Sequence, residues 1–138
     1  MLTVLPAINW LSVLVAFVLY FGLGAFWYLF LFPKPYRISL GRSANEPQSG
    51  NPLYIVGPAV CSLIITLTSA VLLYALNVTS YGAATLFAAV VGGGYLVTNT
   101  VNIAINPNIP RPFLYGLITG SYHFVGLLLI SLLLVAMR

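Results

Sequence analysis

The sequence predicts an all-α protein, a four-transmembrane-helix bundle with small and polar residues on its inward faces. Three observations lead to this fold class. First, 61% of the 138 residues are hydrophobic and 4% are charged, whereas a soluble domain carries about a quarter charged residues. Second, four stretches reach the length of about 20 apolar residues that a helix needs to cross a bilayer. Third, each stretch has one stripe of small or polar residues at helical spacing.

The predicted helices form a single integral membrane domain over residues 1–138. The spans cover approximately 8–32, 53–76, 82–105 and 113–137. Because the N-terminal stretch lacks a positively charged region, we interpret it as the start of a retained span and not as a signal peptide. The second and third spans are joined by a very short turn at "NVTS". The fourth span begins after "NPNIPRP", since proline interrupts a helix but is tolerated in its first turn.

The basic residues predict the orientation of the spans. They concentrate in the loops at 33–52 and 106–112, which lie on the same side of a membrane when four spans alternate. The positive-inside rule therefore places both loops in the cytoplasm and both termini outside, in the plasma (inner) membrane. Arg138 at the C-terminus favours the opposite orientation. The side chains that we expect at anionic lipid headgroups are Lys34, Arg37, Arg42 and Arg111.

Composition also excludes several kinds of site. The net charge of +4 comes from five basic residues and one acidic residue, whereas a nucleic-acid-binding surface needs clustered Lys and Arg. Cys61 is the only cysteine, which excludes an intrachain disulfide and iron–sulfur ligation. One histidine and one cysteine on different helices make a poor metal site. We therefore predict no nucleic-acid partner, no metal and no cofactor.

The inward stripes define a candidate polar core. Small residues and interhelical hydrogen bonds hold helices together in lipid, where apolar side chains gain nothing by leaving the hydrocarbon. The pair Gly116 and Gly120 has the spacing of such a close contact, and the run Gly92–Gly94 permits either close approach or a local distortion of the third span. The polar-core candidates are Asn9, Tyr20, Thr66, Tyr95, Asn99, Asn102, Tyr122 and His123.

His123 is the only histidine of the chain. It lies about ten residues into the fourth span, roughly 15 Å deep and near the membrane midplane. We expect a neutral imidazole, hydrogen-bonded to Tyr95, Tyr20 or Asn99. A structural role is favoured over a proton relay, because a relay chains several titratable groups and Glu46, the sole acid, lies in a loop. A metal or haem ligand and a substrate contact are the other functional alternatives.

Three sequence blocks resemble the DUF1761 family of small uncharacterised membrane proteins. They are "INWLSVLVAFVLYFGLGAFWY" (8–28), "GGGYLVTNTVN" (92–102) and "PRPFLYGLITGSYHFVGLLL" (110–129). The blocks have the order and similar spacing found in that family, and the resemblance extends over essentially the whole chain. It implies a four-helix membrane protein with these polar positions facing inward. It implies no activity, since none is established for the family.

Three functions of different classes remain open at this point. The first is a non-enzymatic helix bundle that acts by packing, as a homo-oligomer or as a subunit of a larger membrane complex. The second is a small transporter or pore whose path follows Tyr20, Thr66, Asn99 and His123. The third is an enzyme or hydrophobic-ligand binder centred on His123. Packing ranks first because the spans are rich in small residues and carry no catalytic set. Conduction ranks second, and chemistry ranks third because no acid is available to orient a catalytic base.

Overall fold

The computed structural model describes residues 2–47 and 49–138, and within them the protein is all-α. Four helices of the described residues are long and apolar enough to cross a membrane. Their bounds overlap the four predicted spans: Trp10–Leu31, Leu53–Ala75, Tyr81–Ala104 and Pro112–Ala136. In chain order these helices are spans one to four.

Span one begins with a well-capped helix. After a 3₁₀ segment at Leu2–Ala7, helix α1 covers Trp10–Phe26. The side chain of Asn9 caps it, because Oδ1 accepts hydrogen bonds from the amides of Leu11 (3.1 Å) and Ser12 (3.3 Å). A π-helical turn at Trp27–Leu31 completes the span. The short helix α2, Pro33–Ser39, follows and starts with a proline in its first turn.

Span two is helix α3, Leu53–Ala75, and its two halves differ in burial. Its buried residues all lie from Ser62 onwards. Before that point the side chains are largely exposed, with Leu53 and Ile55 each at 65%. The turn that follows needs a left-handed residue, and Asn77 takes that conformation with φ of +51°. Ser80 then caps the next helix by accepting a hydrogen bond from the Ala83 amide at 3.2 Å.

Span three is distorted in its middle. Helix α4 covers Tyr81–Phe87, a π-helix covers Ala88–Val97, and helix α5 covers Thr98–Ala104. A π-helix takes more residues per turn than the α-helix. The face turned toward the other helices therefore recurs every fourth residue and consists of Ala84, Ala88, Gly92, Leu96, Thr100 and Ala104.

This spacing corrects the stripe predicted for span three. We expected Tyr95, Asn99 and Asn102 to face inward, on the assumption of a regular α-helix. The structure places all three on the exposed surface, and Tyr95 is 72% exposed. The widened turn around Gly92–Gly94 rotates the following residues, so that Leu96 and Thr100 take the positions expected for Tyr95 and Asn99.

Span four is helix α6, Pro112–Ala136, which contacts each of the other three spans. Half of its most apolar stretch is buried, 50% against 17–22% in the other spans. Glycines allow the close approach: a Cβ at Gly116 would lie 3.1 Å from Val101 Cγ2, and one at Gly120 would lie 3.2 Å from Val97 Cγ1. The arrangement is consistent with an all-α bundle around α6.

Candidate functional site

The predicted polar core is built around a hydrogen bond between spans one and four. The hydroxyl of Tyr20 lies 2.8 Å from Nδ1 of His123. Tyr20 is 1% exposed, and its ring fits against Gly126, where a Cβ would clash severely with it. Of the three partners predicted for His123, Tyr20 is the one that forms the bond. The contact joins α1 to α6 deep within both helices.

Aromatic rings surround this hydrogen bond. Tyr122 stacks on Tyr20 with ring centroids 5.3 Å apart and donates a long hydrogen bond of 3.4 Å to the Tyr20 carbonyl. The Trp27 indole donates to the Ile118 carbonyl at 3.0 Å. Gly24 makes room for this arrangement, since a Cβ there would lie 3.0 Å from the Tyr122 hydroxyl. Tyr122, predicted as a polar-core residue from the sequence, is therefore at its centre.

The cluster extends to the end of the molecule that carries α2. Tyr28 meets Tyr122 edge-on at 5.4 Å and Tyr36 at 4.8 Å, and Tyr36 in turn lies 5.9 Å from Tyr115. Burial raises the pKa of the Tyr36 hydroxyl to about 12, so it is protonated at neutral pH. This extension could not be predicted from the sequence, because residues far apart in the chain meet only once α2 folds back against α6.

Polar groups on span two are satisfied within their own helix. The Thr66 hydroxyl donates to the Ser62 carbonyl at 2.8 Å, and Ser69 donates to Ile65 at 2.7 Å. Thr66 is 0% exposed, so it is buried as expected, but its hydroxyl is directed to the backbone and not along a path to Tyr20. Within the described part of the chain, two buried hydroxyls on α6 make no hydrogen bond: those of Thr119 and Ser131.

Asn9 lies at the other end of α1 from this cluster. Eleven residues separate it from Tyr20, which corresponds to roughly 16 Å along the helix. Its Nδ2 donates to the Met137 carbonyl at 2.7 Å, and its backbone amide donates to the Tyr74 hydroxyl at 3.1 Å. Asn9 thus ties the start of span one to the end of span four.

Arg138 lies at this same end of the molecule. Its guanidinium lies 4.4 Å above the Tyr74 ring. It also donates to the Val78 carbonyl at 2.7 Å and to Asn77 Oδ1 at 3.2 Å. Together with the contacts of Asn9, these bonds join the C-terminus to the turn between spans two and three. We call the group Asn9, Tyr74, Asn77 and Arg138 the terminal clasp.

The four basic residues predicted to meet lipid headgroups lie at the opposite end. The Arg111 amide donates to the Ser39 carbonyl at 3.3 Å and so joins the two basic loops. Arg37 donates to the Ala44 carbonyl at 3.0 Å, and Arg42 lies 3.8 Å from Glu46. The side chains of Lys34, Arg42 and Arg111 are exposed.

The remaining candidates are not brought together with His123. Tyr95, Asn99 and Asn102 project from span three, so the predicted path through Tyr20, Thr66, Asn99 and His123 is interrupted at Asn99. Within residues 2–47 and 49–138, no three His, Cys, Asp or Glu side chains lie close enough to hold a metal ion. A groove of about 520 Å³ between spans three and four is lined almost entirely by apolar groups, among them Val97, Val101 and Phe124.

These features define a class of protein: an all-α chain with four helices apolar enough to cross a membrane and a hydrogen-bonded aromatic core between spans one and four. Residues 11–135 match the family model of DUF1761, which is described as a protein of unknown function. The chain therefore belongs to the DUF1761 family, as its sequence blocks predicted. No curated protein and no solved structure matches it.

Proposed function

We propose that this protein is a non-enzymatic integral membrane protein that acts through helix packing, as a homo-oligomer or as an accessory subunit of a larger membrane complex. One observation carries the proposal. The side chains of Asn99 and Asn102 are exposed on the half of span three that lies nearer to Arg111. Interhelical hydrogen bonds between polar side chains stabilise helix association in lipid, so a further protein surface against this face stabilises the chain.

The interior supports packing over conduction. Tyr20, Thr66 and Ser62 are at most 4% exposed, and their hydroxyls or carbonyls are engaged within the chain. A core of this kind joins helices through close contact and interhelical hydrogen bonds. The cluster around His123 contains tyrosines and a tryptophan but no carboxylate, so no acid is present there to orient the imidazole as a base.

The test is the mass of the protein component after gentle extraction from its native membrane. We expect a homo-oligomer or a stable complex with another membrane protein. Its mass should therefore exceed the 14.9 kDa of a single chain. Native mass spectrometry from mild detergent measures this directly. A strictly monomeric protein without a co-purifying partner would contradict the proposal.

The two ends of the molecule support an orientation in the plasma (inner) membrane. Lys34, Arg42 and Arg111 are exposed at one end, whereas Arg138 at the other is bound to Val78 and Asn77. We expect the end with the free basic side chains to lie in the cytoplasm, at anionic headgroups. In a Cys61→Ala background, Arg42→Cys should react with a membrane-impermeant maleimide only after the cells are opened, and Thr79→Cys in intact cells. The reverse pattern would invert the orientation.

A further inference from the structure

The outward face of span three has an unusual composition for a surface in lipid. Its second half exposes five small or polar residues and one aliphatic residue: Gly94, Tyr95, Thr98, Asn99, Asn102 and Ile103. The exposed residues of α1 and α6 are apolar in contrast, for example Leu14, Val18 and Leu117. Since lipid-facing positions favour apolar side chains, this half of span three has the composition of a helix–helix contact.

The same face leaves room for another helix. Gly94, Thr98 and Asn102 follow one another at intervals of four residues and are exposed. A Cβ at Gly94 would have no atom of the chain within 4 Å, so this glycine is not needed for packing inside the chain. The Thr98 hydroxyl donates to the Gly93 carbonyl at 3.0 Å and is thereby satisfied within its own helix. Another helix can therefore approach the backbone of span three closely at Gly94 and Thr98.

Another glycine pair of this type contacts span three from within the chain. Gly120 and Gly116 pack against Val97 and Val101 on a different side of span three. The face with Gly94 is therefore a second, independent contact surface. It needs a partner that offers both hydrogen-bond donors and acceptors to Asn99 and Asn102.

We infer that this face binds the same face of a second copy of the chain, around a two-fold axis normal to the membrane. An amide is both a donor and an acceptor, so Asn99 and Asn102 can pair with their own symmetry mates. The face carries no charged residue, and two copies meet there without like-charge repulsion. Two-fold contacts use the same patch on both subunits and close into a dimer. This inference rests on the proposed function and names its partner and its surface.

The experiment is disulfide cross-linking in native membranes. In a Cys61→Ala background, Asn102→Cys should form a covalent dimer of the chain on mild oxidation. Phe113→Cys is the control, because it is 81% exposed and lies one residue from the start of α6, whereas Asn102 lies two residues from the end of α5, on the other side of the same loop. We expect a dimer from Asn102→Cys and little or none from Phe113→Cys.

A second measurement uses leucine substitutions at exposed positions of this face. In lipid vesicles, replacing Asn99 and Asn102 by leucine should weaken association roughly threefold for each amide pair lost. Gly94→Leu should reduce the dimer further by blocking the close approach. Gly22→Leu is its control, because a side chain there also meets no atom within 4 Å but lies on span one. Equal dimer levels in Gly94→Leu and Gly22→Leu would overturn the inference.

The outcomes separate this inference from the proposed function. If native mass spectrometry shows an oligomer but Asn102→Cys forms no cross-link, the inferred interface is wrong and the proposed function still stands. A cross-link from Asn102→Cys to a different protein overturns the second copy as the partner, while the role as an accessory subunit stands. A monomer in every measurement overturns both.

Discussion

At the scale of single residues, the central contact is the hydrogen bond between the partly buried imidazole of His123 and the Tyr20 hydroxyl. His123 bonds to Tyr20 over 2.8 Å, and Tyr122 packs against both rings, with centroids 5.3 Å from Tyr20 and 4.9 Å from His123. The contact holds spans one and four together where both are surrounded by apolar groups. Its contribution is expected to be modest, because a helix separated from its partner in lipid finds other hydrogen bonds.

A double-mutant cycle measures this contribution. We expect Tyr20→Phe and His123→Phe each to destabilise the protein, with a coupling free energy of about 0.6 kcal/mol between them. Unfolding of the purified protein by SDS in mixed micelles gives the free energies. If the two effects simply add, the hydrogen bond does not stabilise the fold and the structural role assigned to His123 is wrong.

Gly126 provides a sharper test of the same contact. Gly126→Ala places a methyl group against the Tyr20 ring, at a shorter separation than Cβ atoms have from their neighbours in folded proteins. We expect a loss of about 1–3 kcal/mol in unfolding free energy, as for other overpacked cores. Gly22→Ala is the control, since its Cβ meets no atom within 4 Å. A Gly126→Ala protein as stable as Gly22→Ala would show that Tyr20 is not packed there.

At the scale of secondary-structure elements, the sequence predicted the inward faces of spans one, two and four better than the inward face of span three. The apolar lengths predicted all four helices, and regular α-helical spacing identified the inward positions Tyr20 and Thr66. Span three departed from that spacing because Ala88–Val97 forms a π-helix. The run of glycines at 92–94 indicated a local distortion, but the sequence does not give the number of extra residues in the turn. Tyr95, Asn99 and Asn102 were therefore assigned to the wrong face.

The contact between spans three and four can be tested by a compensating pair. Gly120→Ala brings a methyl group to 3.2 Å from Val97 Cγ1, so we expect a small loss of thermal stability. Val97→Ala removes that carbon, and the double variant should recover most of the loss introduced at Gly120. Thermal unfolding in detergent, followed by fluorescence, is the measurement. Failure of Val97→Ala to compensate would mean that the two helices meet elsewhere.

At the scale of the whole molecule, different interactions join the chain segments at its two ends. The terminal clasp joins both termini to the turn between spans two and three, whereas α2 and Arg111 close the basic end. The clasp could not be predicted from sequence, because Asn9 and Arg138 lie far apart in the chain. Arg138 had appeared only as a charge against the predicted orientation.

Removing the clasp should destabilise the whole molecule. Arg138→Ala loses the hydrogen bonds to Val78 and Asn77 and the contact with the Tyr74 ring, and we expect a loss of about 1 kcal/mol. Arg42→Ala is the control, because its exposed pair with Glu46 at 3.8 Å contributes little. Thermal unfolding in detergent compares them. Equal stability of the two variants would contradict a stabilising role for the clasp.

The most direct test of the central claim, that span three offers its small and polar face to another protein helix, is a density map of the protein extracted together with its native lipids. We predict helical density lying against Gly94, Thr98 and Asn102, with the Tyr20–His123 contact enclosed in each chain. Acyl-chain density alone along that face would contradict the claim.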